Sequence, residues 1–121
     1  MKKILITEDS PTMRSLLVST IEGEDGYEII EAANGFEALR LLPREKVDLI
    51  ITDINMPDIN GLELIRYVRN NPTYQNTPLF IISTEGAAKD REKGLALGAN
   101  EYLVKPFSPE QLMELIRKYL G

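Results

Sequence analysis

Three acidic side chains follow two short apolar runs and could together bind a metal ion. Glu8 and Asp9 come directly after residues 4–7, and Asp53 comes directly after residues 47–52. Carboxylates held about 4 Å apart repel one another by roughly 4 kcal/mol per pair at an effective dielectric constant of about 20. A divalent cation removes this repulsion, and magnesium binds carboxylate oxygens together with water and phosphate oxygens. The acids therefore predict a magnesium site beside an aspartate, Asp53, whose carboxylate could attack a phosphoryl group.

A hydroxyl and an ammonium group follow two further apolar runs. Ser83 ends residues 79–83, and Lys105 comes directly after residues 101–104. Both groups can donate hydrogen bonds to phosphoryl oxygens. Taken one at a time, each residue also has an ordinary explanation: Asp53 and Ser83 could cap the helices that follow them, and Lys105 could be a solvated lysine at a strand end.

Apolar runs of strand length alternate with segments of helical period, which indicates an α/β fold with a parallel sheet. Ligands bind outside the carboxyl ends of the strands in such open sheets, so the acids, the serine and the lysine are expected to meet in one crevice. The predicted strands are residues 3–7, 27–31, 47–53, 79–83 and 101–104. The first, second and fourth predicted helices span residues 11–21, 34–42 and 87–97, and the other two follow Gly61 and begin at Ser108. We therefore predict a single α/β domain with a five-stranded, mostly parallel sheet and five helices.

The fourth helix is predicted to be the most mobile of the five. Its interior Gly94 costs about 1 kcal/mol relative to alanine, and only Leu95 and Leu97 offer large apolar side chains to anchor it. The first helix, in contrast, is expected to bury four apolar side chains on one face: Met13, Leu16, Leu17 and Ile21.

The composition limits the function as well as the fold. At 121 residues the chain fits one domain, residues 1–121, and its 43% hydrophobic and 27% charged residues are ordinary for a globular protein. No apolar stretch has the length of a membrane span, and the lysines at positions 2 and 3 precede too few apolar residues for a secretory signal, so we expect a cytoplasmic protein. The absence of cysteine and histidine excludes disulfide, thiol and histidine chemistry, and the net charge of -5 argues against direct binding of nucleic acid.

Four groups of residues, in this order along the chain, resemble the receiver domain of two-component response regulators in its single-domain, chemotaxis (CheY-like) form. They are Glu8-Asp9-Ser10, Asp53-Ile54-Asn55-Met56-Pro57 with Gly61, Ser83, and Lys105-Pro106-Phe107. The resemblance spans essentially the whole chain and implies a single doubly wound, five-stranded parallel sheet with the strand order 2-1-3-4-5. It also implies a cis peptide bond between Lys105 and Pro106.

The same resemblance implies which residues hold the metal and the phosphoryl group. Asp53 would be the phosphoacceptor. Glu8 and Asp9 would bind Mg²⁺ together with the carboxylate of Asp53 and the backbone carbonyl of Asn55.

Other residues would hold, report or limit the phosphorylated state. Ser83 and Lys105 would each contact a phosphoryl oxygen. Tyr102 would be the switching aromatic residue, although a partly exposed strand tyrosine without motion explains it equally well. Asn55 and Glu85 would tune the access of the water that removes the phosphoryl group.

The function implied by the resemblance is that of a signalling protein rather than of an enzyme with a separate substrate. A sensor histidine kinase or a phosphotransfer protein would donate its phosphoryl group to Asp53 in a magnesium-dependent step that the receiver itself catalyses, as it does the later dephosphorylation. The phosphoryl group would then change a protein-binding face formed by helix 4, strand 5 and helix 5. A monomer that binds a downstream protein is expected.

Two other classes of protein could use the same architecture. An aspartyl-phosphate hydrolase of the haloacid dehalogenase type needs a second acid two residues after its nucleophile, but that position is Asn55, which cannot titrate. A flavodoxin-like cofactor binder needs hydroxyls and free amides after the first strand, where this chain has the acidic residues 8–9.

Overall fold

The computed structural model describes residues 1–84 and 88–121, and within them strands and helices alternate strictly. The strands are β1 (Lys2–Thr7), β2 (Tyr27–Ala32), β3 (Leu49–Asp53), β4 (Leu79–Thr84) and β5 (Glu101–Lys105). The helices are α1 (Pro11–Glu22), α2 (Gly35–Leu41), α3 (Gly61–Arg69), α4 (Ala88–Leu97) and α5 (Pro109–Leu120). None of the helices in these two ranges has the length and apolar character needed to cross a membrane.

The five strands form one sheet in the order β2-β1-β3-β4-β5, and every pairing is parallel. The predicted doubly wound, five-stranded sheet is therefore confirmed. Strand β3 begins two residues later than expected. Asp48, just before it, still contacts β1: its backbone N–H donates to the carbonyl of Lys3 at 2.8 Å, and its carboxylate accepts from the N–H of Lys3 at 2.8 Å.

Each face of the sheet carries its own apolar core. Helices α1 and α5 cover one face, where Leu17, Phe80 and Ile116 are fully or almost fully buried. Helices α2, α3 and α4 cover the other face, around residues such as Ile50 and Leu64. Burial of one such side chain contributes about 1.5–3 kcal/mol, so the two cores hold the strand ends in fixed relative positions.

One side chain on α1 does not lie where the sequence period suggested. Leu17 and Ile21 are buried as predicted and Met13 is partly buried, but Leu16 is 47% exposed. Adjacent residues of an α-helix point about 100° apart, and on α1 the face centred on Leu17 and Ile21 turns Leu16 toward solvent. The prediction of a buried Leu16 was wrong for this reason.

Helix α4 approaches the sheet through a glycine, and only one of its two predicted leucine anchors packs against the core. Leu95 is 44% exposed, contrary to the expectation that it anchors the helix, whereas Leu97 packs against the core. The buried residue is Gly94, where a Cβ atom would lie 2.1 Å from Cδ1 of Ile81. Gly94 therefore allows α4 to approach β4 closely. The expected mobility of this helix stays a prediction.

Helix caps fix where the loops leave the helices. Ser10 caps α1 by accepting a hydrogen bond from the N–H of Met13 at 3.3 Å. Ser108 and Gln111 form the predicted capping box at the start of α5. Both caps lie just beyond the carboxyl ends of strands and so direct the chain around the crevice where the candidate site residues lie.

Candidate functional site

The carboxyl ends of β1, β3 and β5 bring the predicted acids and the predicted lysine together. Thr7 pairs with Thr52 in the sheet, so the residue after each of them, Glu8 and Asp53, lies at the same edge. Lys105 is the last residue of β5 and reaches across to both of them. The crevice that the sequence predicted is therefore present.

The three acids form a compact group. One carboxylate oxygen from each of Glu8, Asp9 and Asp53 lies within 4.8 Å of the others. Glu8 and Asp53 are buried, with 1% and 6% exposure, whereas Asp9 is exposed. The group is thus enclosed on the protein side and open to solvent through Asp9. Such a set of hard oxygen ligands suits a divalent cation of the magnesium class.

Lys105 contacts two of the three acids, Glu8 and Asp53. Its Nζ lies 2.9 Å from Oε1 of Glu8 and 3.3 Å from Oδ2 of Asp53. Burial of the ammonium disfavours its charged form, but the hydrogen bond to Glu8 and the negative charges of Asp53 and Glu8 outweigh burial and raise the pKa of Lys105. The lysine therefore remains charged at neutral pH.

One ammonium group does not fully balance the buried acids. Burial raises the pKa of Glu8 to about 7 against the hydrogen bonds from Lys105 and from the backbone of Ser10, and the charge of Asp53 raises it further. A carboxyl group with such a pKa is partly protonated at neutral pH. Together with the three carboxylate oxygens that lie within 4.8 Å of one another, this fits a site for a divalent cation.

The loop from residue 54 to residue 60 folds back tightly over Asp53. The N–H of Gly61 donates to the carbonyl of Ile54 at 2.9 Å, and a Cβ atom on Gly61 would lie 2.5 Å from the carbonyl oxygen of Asp53. Only glycine fits this approach. The N–H of Asn55 donates to Oδ1 of Asp53 at 3.3 Å, while the side chain of Asn55 is exposed.

Ser83 lies at the same edge of the sheet, but its hydroxyl contacts a tyrosine. Oγ of the buried Ser83 lies 2.5 Å from the hydroxyl oxygen of Tyr102, which comes from the neighbouring strand β5. The ring of Tyr102 is half-buried, and the guanidinium of Arg91 on α4 lies 5.3 Å from its centroid. Spacing along the sequence singled out both residues but gave no sign of this contact. Glu85 lies outside the described residues.

Arg14 is a residue near the acids that the sequence analysis did not single out. Its guanidinium donates to the backbone carbonyl of Glu8 at 2.7 Å and lies 3.4 Å from the carboxylate of Glu31. It therefore fixes the loop that carries the first two acids. An arginine in the first turns of a helix after an acidic loop is the only signal that could have found it. The peptide bond between Lys105 and Pro106 is cis, as expected.

Comparisons with known proteins agree on one family. The response regulator receiver domain matches residues 4–117. A chemotaxis protein CheY homolog from Campylobacter jejuni is 40% identical over 120 residues, which cover 98% of this chain and 92% of that protein. The structure of the chemotaxis response regulator CheY4 of Vibrio cholerae has a TM-score of 0.90 and 38% identity, with 99% of each chain covered.

A further solved structure contains a metal ion. It is the receiver domain of the sensor histidine kinase PA1611 from Pseudomonas aeruginosa, with a magnesium ion coordinated in its active-site cleft. Its TM-score is 0.90 at 28% identity, and the match covers 99% of this chain and 98% of that domain.

Proposed function

The chain belongs to the response regulator receiver family of two-component signalling, in its CheY-like form, and on this basis we propose that Asp53 accepts the phosphoryl group. The observation that carries the proposal is the contact of the buried Asp53 carboxylate with Lys105, within 4.8 Å of oxygens from Glu8 and Asp9. The donor would be the phosphohistidine of a sensor histidine kinase or of a phosphotransfer protein. The family match gives no support to the hydrolase and flavin-binding alternatives.

The residues that would hold Mg²⁺ are Glu8 and Asp9, with the carboxylate of Asp53 and the backbone carbonyl of Asn55. The magnesium-containing receiver domain of PA1611 supports this assignment, as do the close carboxylate oxygens and the raised pKa of Glu8 in this chain. When bound, the ion neutralises charge on the acids and on the phosphoryl oxygens.

Phosphoryl transfer needs little from the protein beyond position and charge. An oxygen of the Asp53 carboxylate attacks phosphorus, the phosphorus–nitrogen bond breaks, and the imidazole nitrogen keeps the electron pair and is left to take up a proton. Lys105 already lies 3.3 Å from Asp53 and can follow the negative charge as it moves onto the phosphoryl oxygens. Its positive charge is secured by the raised pKa.

The contact between Ser83 and Tyr102 supports a route from the phosphoryl group to a binding face. A phosphoryl group on Asp53 adds negative charge and acceptor oxygens at this edge of the sheet. If the hydroxyl of Ser83 turns to donate to one of them, Tyr102 loses the partner that lies 2.5 Å away. The face formed by α4, β5 and α5 would then change for a downstream protein target.

The remaining features of the proposal follow from the same assignment. Residues 1–121 would form one receiver domain that catalyses its own phosphorylation and dephosphorylation. The protein would be a monomer in the cytoplasm. Asn55 and Glu85 would tune the lifetime of the phosphorylated state.

Labelling by a small phosphodonor tests the proposal directly. Incubated with acetyl phosphate and magnesium, the protein should gain one phosphoryl group by mass spectrometry, and the gain should be lost in Asp53→Asn and on removal of magnesium. Asp25→Asn makes the same substitution at an exposed aspartate and should be phosphorylated as the wild type is. Full labelling of Asp53→Asn would exclude Asp53 as the acceptor.

A further inference from the structure

An aspartate outside the acid cluster joins the loop after β3 to a different helix. Oδ2 of Asp58 accepts a hydrogen bond from the N–H of Phe36 at 2.9 Å, and Oδ1 accepts one from the N–H of Gly35 at 3.3 Å. These amides are the first two of α2 and lie 22 and 23 positions away along the chain.

The helix cannot satisfy these amides by itself. The side chain of its own cap, Asn34, accepts from the third amide, that of Glu37, at 2.9 Å. Asp58 supplies the acceptors for the two that remain, at the helix end where negative charge is favoured. Limited burial opposes its ionisation, but the hydrogen bonds from Phe36 and other backbone amides outweigh burial and lower the pKa of Asp58.

A second contact, independent of charge, joins the same two segments. A Cβ atom on Gly35 would lie 2.7 Å from Cβ and 2.8 Å from the carbonyl oxygen of Ile59, the residue after Asp58. The loop therefore lies directly on the backbone at the start of α2. Hydrogen bonds and close packing at two successive residues hold it there.

The loop from residue 54 to residue 60 is thus fixed at both of its ends. Near its start, the N–H of Asn55 donates to Asp53 and the carbonyl of Ile54 accepts from Gly61. Near its far end, Asp58 holds it to α2. We propose that Asp58 is a positioning residue for the metal: by tying this loop to α2, it keeps the backbone at Asn55 in place for Mg²⁺. The inference rests on the magnesium site proposed above.

Magnesium affinity separates this role from simple helix capping. Isothermal titration calorimetry should show that Asp58→Ala binds magnesium about tenfold more weakly, as is typical when a residue behind a metal ligand is lost. Phosphorylation by acetyl phosphate at saturating magnesium should be unchanged, because Asp58 contacts neither the metal nor the phosphoryl group. Asp58→Asn keeps one acceptor oxygen, so its magnesium affinity should lie between that of the wild type and that of Asp58→Ala.

Two further variants control for charge. Gly35→Ala changes no charge but places a Cβ atom against Ile59, so it should weaken magnesium binding in the same direction. Glu114→Ala removes an exposed acid from α5 and should leave the affinity unchanged. Circular dichroism of every variant without metal confirms that it folds, and Asp58→Asn replaces Asp58→Ala if that protein does not.

Three results would overturn the inference. Equal affinities of wild type and Asp58→Ala would make Asp58 a helix cap only. Weaker binding by Asp58→Ala but not by Gly35→Ala would show that its charge acts rather than its position. If the wild-type protein bound no magnesium, the proposed site itself would fail, and the inference with it.

Discussion

Glu8 is the residue whose protonation should control the stability of the metal-free protein. Its pKa is about 7 in the folded state, compared with about 4.3 in an unfolded chain. Between these values the folded state binds more protons than the unfolded state, so the free energy of unfolding falls as pH rises through this window. Thermal melts in a chelator should therefore show a lower melting temperature at pH 8 than at pH 5.5.

Magnesium should reverse this dependence, because its binding requires the ionised carboxyl group. At about 100 times its dissociation constant it should add roughly 2.7 kcal/mol at high pH and less at low pH. Glu8→Gln serves as the control, since it cannot titrate and should flatten the profile of the metal-free protein. A flat profile in the wild type would contradict the raised pKa.

Replacement of Asp53 by asparagine should stabilise the protein when no metal is bound. Asp53 and Glu8 share the single ammonium of Lys105, and the change removes the repulsion between two buried carboxylates. Each kcal/mol gained should raise the melting temperature by roughly 4 °C. Calorimetry in a chelator at pH 7.5 measures the shift, with Asp25→Asn as the exposed control. A lower melting temperature than that of wild type would show that attraction to Lys105 dominates.

At the scale of whole elements, Arg69 fixes the carboxyl end of α4. Its guanidinium lies at the end of α3 and donates to five acceptors in two other segments, the loop after α3 and the loop between α4 and β5. They are the carbonyls of Tyr74, Gln75, Thr77 and Gly98 and the side chain of Asn100. No single lysine ammonium has this planar arrangement of donors, so the contacts cannot all be replaced.

Arg69→Lys should consequently lower the free energy of unfolding by at least about 2 kcal/mol, which urea denaturation measures. Arg66→Lys makes the same substitution on the same helix, at an exposed arginine that lacks these contacts, and should have little effect on the free energy of unfolding. Similar losses at the two positions would mean that the contacts of Arg69 add nothing to stability.

The opposite end of α4 should respond to the phosphoryl group. Beyond the small Gly94, which packs on Ile81, the helix has one partly buried leucine and the contact of Arg91 with the ring of Tyr102. A fluoride mimic of the phosphoryl group, bound with magnesium, should slow hydrogen exchange of the amides of α4 while α5 stays nearly unchanged. Equal exchange with and without the mimic, at proven saturation, would show that α4 is not the element that responds to the phosphoryl group.

For the molecule as a whole, the residues at the ends of strands could be predicted from the sequence. Buried parallel strands give continuous apolar runs, so the polar residue that follows each run, such as Asp53 or Lys105, marks a strand end. Topology then brings these ends to one edge. The acids and the lysine required no knowledge of packing beyond this rule.

Contacts between elements could not be predicted in the same way. Hydrophobic period does not decide which of two adjacent leucines is buried, so Leu16 was assigned to the wrong face. The small size of Gly94 was interpreted as a cost to its helix, whereas close approach to Ile81 requires it. The bond from Asp58 to α2 depends on where a loop lies in space, and no local pattern encodes that.

The ion pair between Glu8 and Lys105 joins residues 97 positions apart. During synthesis on the ribosome, β1 emerges long before β5. The growing chain therefore carries Glu8 before Lys105 is present to balance its charge. A sheet that lacks β5 would therefore keep Glu8 protonated or exposed to water. The ion pair at the proposed phosphoacceptor site therefore forms only after β5 has joined the sheet.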